Sequence, residues 1–300
     1  MPFLPRPQYD WQLATRTLAL GRNTLVMGIL NVTPDSFSDG GHFYHPADQT
    51  SRAVEHGLEM LDRGAHLLDI GGESTRPDAT PLSAAQEQDR VLPVLTALRQ
   101  ERPQAVLSVD TYHAATAREA LAAGADVIND VSGLTWDPAM PAACAPTPCG
   151  VVLMHSRGTP QDWRTLAPSP PNDLLPEILA GLRQRVALAA AAGIASTRLV
   201  LDPGFGFGKL GAKNFTLHAR LEQLHTLGLP VLVGTSRKGF LGQAIAPLHR
   251  GASPTATDRL AATLASCTAA VLAGAHLLRV HDVLPALEAA AIADAILDAH

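Results

Sequence analysis

Two aspartates, Asp110 and Asp202, and an asparagine, Asn129, each follow directly on a short apolar run, and Arg279 and His281 close the last such run. A carboxylate at the end of an apolar strand is costly unless it meets a cation or a donor. These residues are therefore expected to be paired. Two acceptor carboxylates and an amide suit a flat, aminopyrimidine-type heterocycle that presents several N–H donors and a carbonyl. Lys238, in the segment T-S-R-K, supplies a donor from the opposite side. Arg279 and His281 stand two residues apart, and on a strand that spacing sends both side chains the same way. With Asn31 beside them they predict an anion clamp.

Three further segments carry groups suited to a ligand. Residues 31–41 read N-V-T-P-D-S-F-S-D-G-G, a run of small hydrogen-bonding residues around Phe37 that ends in paired glycines. Residues 71–77 read G-G-E-S-T-R-P, where the glycines allow close backbone approach and Arg76 offers a planar cation. Residues 204–209 read G-F-G-F-G-K, which is neither the dinucleotide fingerprint nor a Walker loop. Its glycines are expected to bring backbone close to a flat ligand, with Phe205 or Phe207 as a wall. His155 has no second His or Cys at zinc-ligand spacing and is read as a hydrogen-bonding loop residue.

The elements that position these groups are eight apolar runs at 24–30, 66–70, 105–109, 126–128, 150–154, 199–201, 230–233 and 277–280. Each ends in a polar cluster, and segments of helical period lie between them. That alternation predicts an α/β fold, a (β/α)₈ TIM barrel, in which the loops after the strands build one working face. In the first helical segment Ala53, Val54, Gly57, Leu58 and Leu61 share a face. The second opens on Ser83 with Gln86 three residues later, a capping-box spacing, and Pro93 inside it predicts a kink. Further helices are expected over 114–123, 173–192, 214–227, 257–273 and 284–298. Residues 136–148 hold four prolines and predict a short or irregular connection. The whole, 1–300, reads as one domain with 1–22 as an N-terminal extension.

A net charge of −5 argues against the clustered basic surface that nucleic acid or an anionic membrane requires, though an anionic small molecule can still bind in a local basic pocket. Cys144, Cys149 and Cys267 form no C-x-x-C pair and read as reduced and structural, which implies a cytoplasmic protein. The apolar stretch 260–278 is expected to be a buried helix running into a barrel strand, not a membrane span.

Seven segments in order make the chain resemble the dihydropteroate synthases. They are M-G-I-L-N-V-T-P-D-S-F-S-D-G-G from Met27, D-I-G-G-E-S-T-R-P from Asp69, S-V-D-T from Ser108, I-N-D-V-S-G from Ile128, D-P-G-F-G-F-G-K from Asp202, G-T-S-R-K-G-F from Gly234 and R-V-H-D-V from Arg279. The resemblance implies condensation of 6-hydroxymethyl-7,8-dihydropterin diphosphate with 4-aminobenzoate in folate biosynthesis. It assigns the pterin to Asp110, Asn129, Asp202 and Lys238, and the diphosphate to Arg279, His281, Asn31 and Thr75, with Mg²⁺ at Asn31. Phe37, Arg76, Pro77 and Ser236 would frame the aminobenzoate, and Lys238, Arg279, Asp110 and Asp202 would carry the chemistry. It further implies a homodimer, for which the Ala-rich segment 257–273 is a candidate interface. Lys213 and Ser156 depart from the family's usual residues. A pterin-binding methyltransferase or a non-catalytic pterin-binding paralogue are the alternatives.

Overall fold

The computed structural model describes residues 5–33, 46–73, 81–163, 165–166 and 174–299. It opens on an antiparallel hairpin, β1 (Tyr9–Gln12) and β2 (Thr17–Leu20), where the sequence suggested only an extension. Eight strands follow: β3 (Leu25–Asn31), β4 (Leu67–Gly71), β5 (Val106–Asp110), β6 (Val127–Asp130), β7 (Gly150–Met154), β8 (Leu199–Asp202), β9 (Leu232–Val233) and β10 (Leu277–Val280). All neighbours in this sheet are parallel, in the order β8-β7-β6-β5-β4-β3-β10-β9. A parallel bridge between Leu201 and Val231 joins the two remaining edges and closes the barrel. The (β/α)₈ fold is thus as expected, with strand bounds within two residues of the apolar runs.

The intervening helices are α1 (Pro46–Asp62), α2 (Ala84–Glu101), α3 (Ala114–Ala122), α4 (Met140–Cys144), α5 (Leu174–Ala191), α6 (Lys213–His218), α7 (Gly239–Ile245), α8 (Leu260–Leu272) and α9 (Val283–Asp298). Ala53 and Gly57 of α1 are buried, as the pattern required. The capping box at Ser83 and Gln86 starts α2, and the helix runs unbroken through Pro93. The Pro-rich fourth unit still forms α4, because Pro141 falls in its first turn, where no N–H is needed. The long helix expected over 214–227 is instead α6 and a 3₁₀ helix, Leu221–Leu227, broken where Arg220 leaves helical geometry at φ −130°. Thr257–Arg259 is likewise a 3₁₀ turn leading into α8, and the apolar stretch after it becomes β10. Among the described residues no helix is long and apolar enough to cross a membrane.

Alternation along each strand decides what faces the barrel axis. At the entry end Met27, Leu67, Val106, Val127, Val152 and Val200 form one buried apolar cluster with Trp11, Leu13 and Leu20 of the hairpin. The hairpin therefore plugs that mouth. Trp11 is 1% exposed, and its indole N–H donates to Arg198 O at 2.9 Å, so the one polar atom of the plug is also satisfied. Two residues further along the same strands the inward positions become Asp69, Ser108, Asn129 and Asp202, and the site begins there.

Candidate active site

Strand register sets the first row of the site. Asn31 pairs with Gly71, Gly71 with Asp110, and Asp110 with Asn129, so residues from β3 to β6 stand side by side at the exit end. A Cβ at Gly71 would be in ordinary contact with its neighbours, 3.5 Å from Asp110 Cβ and 3.8 Å from both Asn31 Oδ1 and Asp110 Oδ2.

The centre of the site is Arg279. Its Nε donates to Asp69 Oδ2 at 2.6 Å and its Nη2 to Asp110 Oδ2 at 2.7 Å. Asp69 is fully buried and also accepts from Ser108 Oγ at 2.6 Å and from Asn129 Nδ2 at 2.8 Å. Burial alone would weaken the guanidinium as a base, but Asp69 and Asp110 outweigh it and bind the proton more firmly. Burial raises the Asp110 carboxyl, against the pull of Arg279. Asp69 enters the sequence reading only as the first letter of D-I-G-G-E-S-T-R-P. The signal that marks it is a carboxylate inside an apolar run, not after one.

Opposite lies Lys238. Its ammonium donates to Phe205 O and sits 4.3 Å from the centroid of the Phe207 ring. Burial lowers it to about 8, with Asp202 pulling the other way. Asp202 is raised by burial, opposed by Lys238 and by the Gly204 N–H, which donates to its Oδ1 at 2.7 Å. Arg237, between two site residues, adopts the left-handed φ of 58°, a conformation that costs a non-glycine residue about 1–2 kcal/mol. It is held there from outside. The guanidinium is bidentate to Asp282 at 2.6 and 3.0 Å, and the main-chain N–H of Arg237 donates to Thr263 Oγ1 at 3.0 Å.

The structure brings Asp110, Asn129, Asp202, Lys238 and Arg279 to one mouth, with Asn31 beside them. Ser236 and His281 meet each other, with Oγ and Nδ1 3.0 Å apart. The two strand-end residues of the expected anion clamp sit in different electrostatic surroundings. Arg279 is engaged by two carboxylates, and His281 is lowered to about 4 by burial and then by Arg237 and Arg279, so it is neutral at pH 7. His155 is the hydrogen-bonding loop residue expected, through its main chain. The side chain is buried with Nδ1 unpartnered, and it is the main chain that bonds, its N–H to Asp202 O and its carbonyl to Lys209. Ser156 donates to Gly158 O at 3.0 Å and Lys213 opens α6. Phe37, Thr75, Arg76 and Pro77 lie outside the described residues. Among the described residues no group of three or more His, Cys, Asp or Glu side chains could hold a metal ion.

Residues 27–281 match the family model described as pterin binding enzyme. The dihydropteroate synthase of a Synechocystis species is 41% identical over 297 residues, covering 98% of this chain and 95% of that protein. Among solved structures, Xanthomonas albilineans dihydropteroate synthase with 4-aminobenzoic acid is 42% identical with a TM-score of 0.84, covering 96% of this chain and 98% of that one. The Burkholderia cenocepacia dihydropteroate synthase complexed with 7,8-dihydropteroate is 36% identical with a TM-score of 0.83, covering 97% of each chain.

Proposed function

Since this chain belongs to the dihydropteroate synthase family of pterin binding enzymes, we propose that it joins 6-hydroxymethyl-7,8-dihydropterin diphosphate to 4-aminobenzoate, releasing diphosphate and forming 7,8-dihydropteroate for folate biosynthesis. One observation carries the reading: the buried acceptors Asp69, Asn129 and Asp202 and the half-buried Asp110, from β4, β6, β8 and β5, meet two half-buried cations, Arg279 and Lys238, at a single barrel mouth. A pterin edge offers N–H donors to Asp110 and Asp202, an amide match to Asn129, and a carbonyl to Lys238. Arg279, His281 and Asn31 receive the diphosphate. Its arrival favours the imidazolium of His281 and competes with Asp69 and Asp110 for Arg279.

The substitution is dissociative. The methylene C–O bond breaks with its electron pair going to the diphosphate, the carboxylates of Asp110 and Asp202 favour the methylene cation, and the aminobenzoate nitrogen then bonds to it and loses a proton. Asn31 Oδ1, a hard oxygen beside Gly71, suits a Mg²⁺ that keeps most of its waters. Bound there, it would neutralise charge on the departing diphosphate. By resemblance Thr75 assists at the diphosphate, and Phe37, Arg76, Pro77 and Ser236 hold the aminobenzoate.

The test is diphosphate release with and without 4-aminobenzoate and Mg²⁺, on the wild type and on Lys238→Ala. Release that needs both additions and collapses in the variant supports the synthase. Pterin binding without turnover points to a binding paralogue or to another acceptor. No diphosphate release before amine attack in a rapid-mixing experiment would sink the dissociative order. We infer a homodimer as well, with the face of α9 that exposes Leu284, Ile292 and Ile296 beside α8 as its surface. Light scattering decides that.

A further inference from the structure

Lys209 is 2% exposed, and among the described residues no carboxylate lies within ion-pair distance of it. Its ammonium instead donates all its hydrogens to main-chain carbonyls: His155 O at 2.8 Å, Gly204 O at 2.8 Å and Phe207 O at 3.2 Å. His155 follows β7, while Gly204 and Phe207 belong to the segment after β8. One cation thus ties two neighbouring strand exits together.

The chain around it is shaped to allow this. Gly204 and Gly206 have φ values of 69° and 84°, and a Cβ at Gly204 would stand 2.1 Å from His155 O, closer than any side chain tolerates. A Cβ at Gly206 would press on Lys238 Cδ at 3.3 Å. Asn214 braces the far side: Nδ2 donates to Lys209 O at 2.8 Å, and Oδ1 accepts from Gly206 N–H at 2.8 Å. A methionine would fill the same volume without burying a charge. What only the ammonium does is hold three carbonyl dipoles, which repel one another, pointing at one place.

Each residue so gripped is a neighbour of a site contact. Gly204, whose carbonyl Lys209 holds, gives its N–H to Asp202, and Phe207 gives its ring to Lys238. Phe205, between them, gives Lys238 its carbonyl. We propose that Lys209 is a positioning residue for the pterin end of the site: by gathering the carbonyls of His155, Gly204 and Phe207, it aims the backbone and ring that orient Lys238 and Asp202. This deepens the synthase reading and rests on it.

Three proteins test it: wild type, Lys209→Met and Lys209→Ala. In Lys209→Met the KM for dihydropterin diphosphate rises about ten-fold or more, because a small misplacement of binding groups is enough. The KM for 4-aminobenzoate stays within about two-fold, a split that general loosening of the fold does not produce. In Lys209→Ala, propylammonium brings the pterin KM back toward the wild-type value, whereas tetramethylammonium, a cation with no N–H, does not. A wild-type pterin KM in Lys209→Met overturns the proposal. So does a folded Lys209→Ala, checked by near-UV circular dichroism, that propylammonium leaves unrescued, and this comparison stands even where the methionine variant does not fold. Wild type that binds pterin-6-carboxylate by calorimetry but makes no product overturns the synthase reading alone, and the same rescue is then read on that ligand's affinity. Wild type that neither binds nor turns over overturns both.

Discussion

The two mouths of the barrel are built from the same strands and could hardly differ more. In β4, Leu67 packs under the hairpin and Asp69, two residues on, holds Arg279; in β6 the same step goes from Val127 to Asn129, and in β8 from Val200 to Asp202. One pleat of about 7 Å separates a dry plug from a polar site. Apolar packing can be local and generic, because any well-fitting side chain serves. The charged end is collective: Asp69 is tolerable only with Arg279, Ser108 and Asn129 in place.

Substitutions at the two ends should therefore fail differently. Arg279→Met strands the Asp69 and Asp110 carboxylates, and removing one partner of a buried pair costs about 3–5 kcal/mol. Activity should fall as well, by about a hundred-fold or more. Urea unfolding and diphosphate release measure the two losses, and a stable variant with normal turnover would erase the contrast between the ends. At the other mouth Trp11→Ala costs a similar 3–5 kcal/mol or so through the cavity it leaves, yet kcat and KM of the folded fraction stay within about two-fold. Both effects are readable in one denaturation series with activity assays below the transition.

A gentler probe is pH. The Lys238 ammonium, lowered to about 8 by burial, is the form that donates, so it is fully present below that pH and lost as pH rises through it. On the alkaline side the expected profile of kcat/KM for the pterin diphosphate falls about tenfold per unit above pH 8. Lys238→Arg, which stays charged, should remove the alkaline fall, while Trp11→Ala leaves it where it was. The smallest effect belongs outside both mouths: Ser83→Ala removes the cap of α2 and should lower stability by about 1 kcal/mol with no change in turnover, as thermal unfolding would show.

What the sequence made legible follows the same division. Strand cores announce themselves because burial on both faces leaves continuous apolar runs, and the cap at Ser83 is a local signal that nothing overrides. The hairpin is harder to see. Trp11 and Leu13 do alternate with Asp10 and Gln12, but Leu18 and Leu20 flank Ala19, and strands of four residues are too short for the pattern to rise above a loop. Asp110, Asn129, Asp202, Lys238 and Arg279 stand out by type and place. Asp69 and Lys209 do not, since one hides inside a strand and the other at the end of a glycine-rich segment, and each acquires meaning only from partners distant in the chain. For the same reason the charge state of the Arg279 and His281 pair could not be read in advance: two residues apart on one strand, they answer to Asp69, Asp110 and Ser236 on three other segments.

Arg6, just ahead of the hairpin, donates to Ala275 O and to Asp294 of α9, and the His276 ring meets Pro7 O. Arg6 leaves the ribosome 288 residues before its carboxylate partner does. Through that interval the tryptophan and leucines of the hairpin have no finished ring of strands to dock on, so they wait exposed while the rest of the barrel is made. Closure is accordingly a late event that joins the extremes of the chain, and folding should be slow for the protein's size and dependent on protection of those early apolar residues during synthesis.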